Sequence, residues 1–204
     1  MSTPGVFEVL QCLIQEYPWA SLGVGTVLDR ADAKEAFKIG AKFLMSPVMV
    51  KEILDDVAEF QALYIPGAMT PTEILFASKA GARIVKVYPV SALGGACYIA
   101  AVKKPFPHIL MVASQGITLD SVGEYIAQGA SLVVLSDSIF EKKAMNEQNF
   151  DRVYQLARRE AFHGHEATRL LHYLLSACYI YIGFQISPEV SFITLRIQNT
   201  IYVR

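Results

Sequence analysis

Lys86 is the residue of this sequence with the most chemistry to offer. It sits in Arg83-Ile84-Val85-Lys86-Val87-Tyr88-Pro89, a short run that is apolar apart from Arg83 and that stops at a proline. A lysine buried in such a run is costly as an ammonium. Desolvation favours the neutral amine, and a neutral amine attacks a carbonyl to give an imine. Read without context, Lys86 is first of all a side chain that lays its stem on the apolar surface and carries its charge to water, and only second a nucleophile. Other reactive types are poorly arranged. Cys12, Cys97 and Cys178 are far apart and odd in number, which fits reduced thiols better than a disulfide framework or a metal site. His163-Gly164-His165 reads as a solvated turn after a helix before it reads as a metal pair. Glu73, three residues after Thr70, fits a capping box and not a catalytic acid.

The elements that must hold Lys86 follow one repeated plan over residues 4–161. Apolar runs at 21–24, 42–45, 62–65, 83–87, 109–113 and 131–135 read as buried strands. Helical spacing falls between and after them at 30–39, 48–57, 71–79, 118–128 and 147–162, with start signals at Thr70-Pro71 and Thr118. Gly40-Ala41, Gly81-Ala82 and Gly129-Ala130 each close a helix, as a left-handed C-terminal residue requires. This is strand–helix repetition, so the strands are parallel and form either an open doubly wound sheet or a barrel. A dinucleotide fingerprint is not present, since Gly23-Val24-Gly25-Thr26 supplies only its first two glycines.

Two sections are expected: a strand–helix domain over 1–162 and an atypical tail over 163–204, in which 179–184 and 190–197 are β-prone. Composition limits the partners. With 53% hydrophobic and 18% charged residues and a net charge of -1, the chain has a substantial core and no basic run to track a phosphate backbone. No nucleic acid and no membrane partner are expected, and the N-terminus lacks a secretory pattern. The apolar stretch at 170–186 is interrupted by His172, Ser176, Gly183 and Gln185 and reads as buried sequence.

Four segments, in order, carry more information than the periodicity. They are GVGTVLD at 23–29, AKFLMSPVM at 41–49, LYIPGAMTPTE at 63–73 and VKVYPVSALGG at 85–95. Together they resemble the strand-end motifs of the KDPG/KHG (2-keto-3-deoxy-6-phosphogluconate) aldolase family. VASQGIT at 112–118 and VVLSDSIF at 133–140 are similar to its plant-type members. The resemblance implies a TIM-type (β/α)8 barrel, incomplete here, with six strands of eight recognisable. It implies a class I lyase of carbohydrate metabolism that forms or cleaves a 2-keto acid to give pyruvate and an aldehyde. Lys86 would be the Schiff-base lysine. Thr26 would contact substrate, or else cap the following helix. Ser46, Pro47, Pro66 and Gly67 would line the pocket as turns, and Ser114 and Gly116 would complete it. Ser136, Asp137 and Ser138 stand where phosphorylated-sugar members bind phosphate. No cofactor is implied; a homotrimer is, with a cytoplasmic location, or an organellar one if a longer parent exists.

The departures also carry weight. The family's general acid/base is a glutamate on the second strand, followed by an arginine in a sequence like EVTLRT. Here Met1-Ser2-Thr3 aligns with that strand's end, so two strands and the helix between them are expected to be missing. Phe192–Ile197 echoes VTLR, and a tail strand there is a lesser alternative for filling the gap beside 21–24, but with Phe192 at the glutamate's place it would restore no proton shuttle. At the phosphate site, the glycine-rich TGG and GGS strand ends become Ser114-Gln115-Gly116 and Ser136-Asp137-Ser138. An aspartate repels a dianionic phosphate by roughly 1 to 4 kcal/mol at about 4 Å, so a non-phosphorylated keto acid such as a hydroxy-oxo-glutarate is favoured. A barrel short of two strands would leave two open edges, and a catalytically silent scaffold or an incomplete gene product is the competing expectation.

Overall fold

A computed structural model describes residues 4–60, 62–136 and 138–159, together with the backbone of 179–184 and 200–203. Its elements run α1 (Val6–Glu16), β1 (Ser21–Val24), α2 (Arg30–Ile39), β2 (Phe43–Met45), α3 (Lys51–Phe60), β3 (Leu63–Ile65), β4 (Gly67–Ala68) and α4 (Pro71–Lys79). There follow β5 (Val85–Val87), a 3-10 turn (Val90–Leu93), α5 (Ala96–Lys103), β6 (Met111–Ser114), α6 (Val122–Ala127), β7 (Leu132–Leu135) and α7 (Lys142–Asn146). A further helix, α8, covers 150–159; β8 (Tyr179–Phe184) and β9 (Thr200–Val203) complete the series.

The helix ends are written in the sequence. Asp29 caps α2 by accepting from the Ala31 and Asp32 N–H groups, and Gly40 ends it at φ 115. Thr70 and Glu73 form a reciprocal capping box on α4, with Pro71 in its first turn. Gly81 and Gly129 adopt φ 107 and 100, as the repeated Gly-Ala pairs predict.

All paired strands are parallel, in the order β3, β2, β1, β9, β8, β7, β6, β5, β4. The two ends of this row, β3 and β4, are halves of one extended stretch split at Pro66. Leu63–Ile65 pairs with β2 and Gly67–Ala68 with β5, so the two ends of the row lie on one segment. This is the TIM-type arrangement that the resemblance implies. The expectation of two open edges is corrected: β8 pairs with β7, β9 pairs with β1, and the two pair with each other. The β-prone run at 179–184 is observed as β8, whereas the run at 190–197 lies outside the described residues.

Strand alternation sorts the side chains into two layers. Leu22, Val24, Leu44, Tyr64, Val85, Val87, Met111, Ala113, Val133 and Leu135 belong to a large cluster shared with the helices. Phe43, Met45, Ile65, Ile84, Val112 and Val134 form a separate inner cluster, with Leu63 and Leu132 packed against it. Gly23 belongs to this inner face, where an added Cβ would lie 2.2 Å from the Phe43 ring. Three helix boundaries differ from expectation. The helix expected at 48–57 begins at Lys51, that at 118–128 at Val122, and that at 147–162 is preceded by the short α7 and starts at 150.

Candidate active site

Parallel strands present their C-terminal ends on one side, and the predicted residues gather there. Thr26 follows β1, Ser46-Pro47 follow β2, Pro66 joins β3 to β4, Lys86 is on β5, Ser114 ends β6 and Ser136 follows β7. Lys86 alternates with Val85 and Val87 of the outer layer and shares its face with Ile84 of the inner cluster. Its register partners are Gly67 and Val112. Its side chain is therefore directed inward, with only 9% of the residue exposed. Nζ stands 4.4 Å from the centroid of the Tyr88 ring.

The rim around the amine is built by close backbone contact. Lys86 N–H donates to Pro66 O at 2.8 Å, and Val27 N–H donates to Met45 O at 3.1 Å, which ties the Thr26 turn to the end of β2. At Gly67, a Cβ would lie 2.0 Å from Pro47 O, so only glycine lets the two strand ends meet. Gly116, at φ 72, packs against Ser91, where a Cβ would lie 2.5 Å from the serine Cβ. Thr26 has φ 56 and Gln115 φ 83. A β-branched residue in that region is an outlier, and such strain collects at functional sites.

Ser46 has a scaffold role. Its buried Oγ donates to Val27 O and accepts from the Tyr64 hydroxyl at 2.9 Å, while Tyr64 accepts from Val50 N–H at 3.0 Å. Burial pushes the Tyr64 phenol pKa up. Thr26 does not cap α2; Asp29 does. Ser136 O accepts from the Ile139 and Phe140 N–H groups in a tight turn, and Ser138 Oγ is buried without a hydrogen-bond partner. Asp137 lies outside the described residues.

A second half-buried lysine invites comparison. Burial pushes the Lys103 pKa down, but its Nζ donates to Ile109 O at 2.6 Å and Pro107 O at 3.2 Å. Those carbonyls precede β6, at the opposite end of the strands from Lys86. Glu73 is also excluded as an acid, because its Oε2 accepts from the Met69 and Thr70 N–H groups, which hold its pKa below the usual carboxylate range. Among the described residues no group of three or more His, Cys, Asp and Glu is placed to hold a metal ion, and no helix is long and apolar enough to cross a membrane. Sequence reasoning missed the Tyr64–Ser46 clamp and the seat that Tyr88 gives Lys86. The adjacency of an aromatic residue in Lys86-Val87-Tyr88 was the available signal for the second.

Comparison with known proteins agrees with this geometry. The sequence model of a family described as "Aldolase: KDPG and KHG aldolase" matches residues 1–156. The 2-dehydro-3-deoxy-phosphogluconate aldolase of Dickeya dadantii is 30% identical over 158 residues, covering 78% of this chain and 74% of its own. The KHG/KDPG aldolase of Escherichia coli K12 is 27% identical over 164 residues, covering 80% and 76%. Among solved structures, one of native KDPGal superposes with a TM-score of 0.73 at 25% identity, over 82% of this chain and 80% of its own. The KDPG aldolase of Legionella pneumophila, with pyruvate captured as a covalent carbinolamine, superposes with a TM-score of 0.70 at 25% identity, over 76% of each chain.

Proposed function

Because this chain belongs to the KDPG and KHG aldolase family, we propose that it is a class I lyase that handles a 2-keto acid through an imine at Lys86. The observation that carries this reading is the inward, largely buried position of the Lys86 amine at the C-terminal rim of a parallel sheet. In the forward step the neutral amine adds to the C2 carbonyl, water leaves, and the imine nitrogen takes up a proton from solvent to become an iminium. Cleavage of the C3–C4 bond then sends its electron pair into C2=N and releases the aldehyde, while the C4 hydroxyl proton passes to a base. Protonation at C3 and hydrolysis return pyruvate and the free amine.

The base sets the expected rate. The family resemblance puts a proton-shuttling glutamate on the strand beside β1, and the strand beside β1 here is β9, Thr200-Ile201-Tyr202-Val203, which contains no carboxylate. General acid–base catalysis is typically worth about 10² to 10⁴. Lyase turnover at least about 100-fold below that of a relative with the glutamate is expected. For substrate, Ser114-Gln115-Gly116 and Ser136-Asp137-Ser138 support a non-phosphorylated keto acid of the hydroxy-oxo-glutarate type over a phosphorylated one. A cytoplasmic homotrimer follows from the same resemblance, and light scattering of the purified chain tests the assembly.

Borohydride trapping with pyruvate tests the central claim. Peptide mass analysis is expected to find the reduced adduct on Lys86, with Lys86→Met losing it and Lys103→Met retaining it. A folded chain that gives no adduct, or one modified at Lys103, would refute the assignment.

A further inference from the structure

The ring of Tyr88 takes no part in the chemistry above, yet it lies directly beneath the reacting nitrogen, 4.4 Å from centroid to Nζ. An aromatic face attracts a cation electrostatically, by the negative lobe of its quadrupole. The nitrogen of Lys86 is cationic in the proposed cycle as the iminium, the form that accepts the electron pair of the breaking bond. Tyr88 follows Lys86 by two residues, in the turn that leaves β5, and its ring is turned back under the amine. The register neighbours of Lys86, Gly67 on β4 and Val112 on β6, are not titratable, and two residues before it the inner cluster contributes Ile84. Arg83 is exposed at the opposite end of the run.

We propose that Tyr88 is a positioning residue whose ring holds the substrate imine on Lys86 in its protonated, electron-accepting form. The inference rests on the imine at Lys86. The bond changes are those of imine formation alone: Nζ bonds to C2, the carbonyl oxygen leaves as water with the two amine protons, and the nitrogen takes one proton from solvent and holds it over the ring. The phenolic oxygen is not required, so phenylalanine should substitute for tyrosine and an aliphatic residue should not.

The test measures the rate of borohydride trapping with pyruvate against pH, since hydride adds to the iminium far faster than to the neutral imine. Tyr88→Phe should keep the parent's alkaline limb. Tyr88→Leu should move that limb to lower pH and reduce trapping at a fixed alkaline pH by roughly 3- to 30-fold. Placing mono-, di- and trifluorinated phenylalanine at position 88 keeps the shape while draining the ring of electron density, so any loss in that series does not depend on misfolding. A stepwise descent of the alkaline limb with fluorination supports the proposal. A limb that does not move across the fluorinated series, while adduct still forms on Lys86, overturns the role of Tyr88 and leaves the lyase reading standing. No adduct in the parent chain overturns both.

Discussion

Gly67→Ala is the sharpest mechanical test of the rim. A Cβ at position 67 would lie 2.0 Å from Pro47 O, 2.2 Å from Pro47 C and 2.7 Å from Val48 N. Unstrained contact needs roughly 3.5 Å between carbons, so the two strand ends would have to separate by about 1 Å or more. The obstructing atoms are backbone and cannot rotate away. The Pro47 turn is further fixed by Ser46 Oγ on Val27 O and by Tyr64 on both Ser46 and Val50. Overpacking of this kind costs about 1 to 3 kcal/mol, and more where nothing can yield. Gly67 is the register partner of Lys86, so the displacement is passed to the amine. A misplacement of about 1 Å at a reacting group can lower a rate by about 100-fold. The assay pairs denaturant unfolding with the rate of pyruvate trapping. Gly81→Ala is the control: φ is 107 there but nothing lies within 4 Å of the added Cβ, so it should cost about 1 to 2 kcal/mol in stability and leave trapping unchanged. A Gly67→Ala protein with the parent's unfolding midpoint and trapping rate would refute the claim that this contact sets the geometry of the site.

Two further outcomes follow from the site and its supports. Thr26→Gly removes a β-branched residue from φ 56 and should raise stability by a few tenths to about 1 kcal/mol, strain relief being partly offset by the freer unfolded chain. If the hydroxyl touches substrate, trapping slows as melting temperature rises; unchanged trapping removes Thr26 from the site. Asp56 joins α2 to α3 through Arg30, whose Nε and Nη2 donate at 2.7 and 2.8 Å. That pairing lowers its pKa from 3.8 to about 2. A depressed folded-state value stabilises the protein fully above the unfolded value and stops doing so as pH falls from about 4 through about 2. Asp56→Asn should therefore be less stable than the parent at pH 7, with the difference closing across that window in parallel denaturation curves.

Local sequence was a good guide wherever local physics decides. The strand at 21–24 and the helices at 30–39 and 71–79 are observed with the expected bounds, because caps and apolar spacing specify them. The start of α3 was misplaced because Val48, Met49 and Val50 continue the apolar pattern, while Val50 N–H is taken by the Tyr64 hydroxyl. That partner is distant in sequence and invisible to periodicity. At 118–121 the Thr118 N–H donates to Ser121 Oγ, which makes a turn of what reads as a first helical residue. Gln148, at φ 51, interrupts the last pattern in the same way. Lys86 was legible from its motif, but whether it faced in or out depended on which layer Val85 and Val87 join. The pairing of β8 and β9 was harder still. A run such as Thr200–Val203 has no signature of its own, and what fixes its place is the unfilled edge of β1.

That last pairing orders events in time. β1 and its neighbour β9 are separated by about 180 residues, so nascent β1 must wait for that length to be synthesised. At ribosomal speeds of about 5 to 20 residues per second, the delay is on the order of ten to forty seconds. Throughout it β1 shows a bare row of amides and carbonyls to any passing polypeptide.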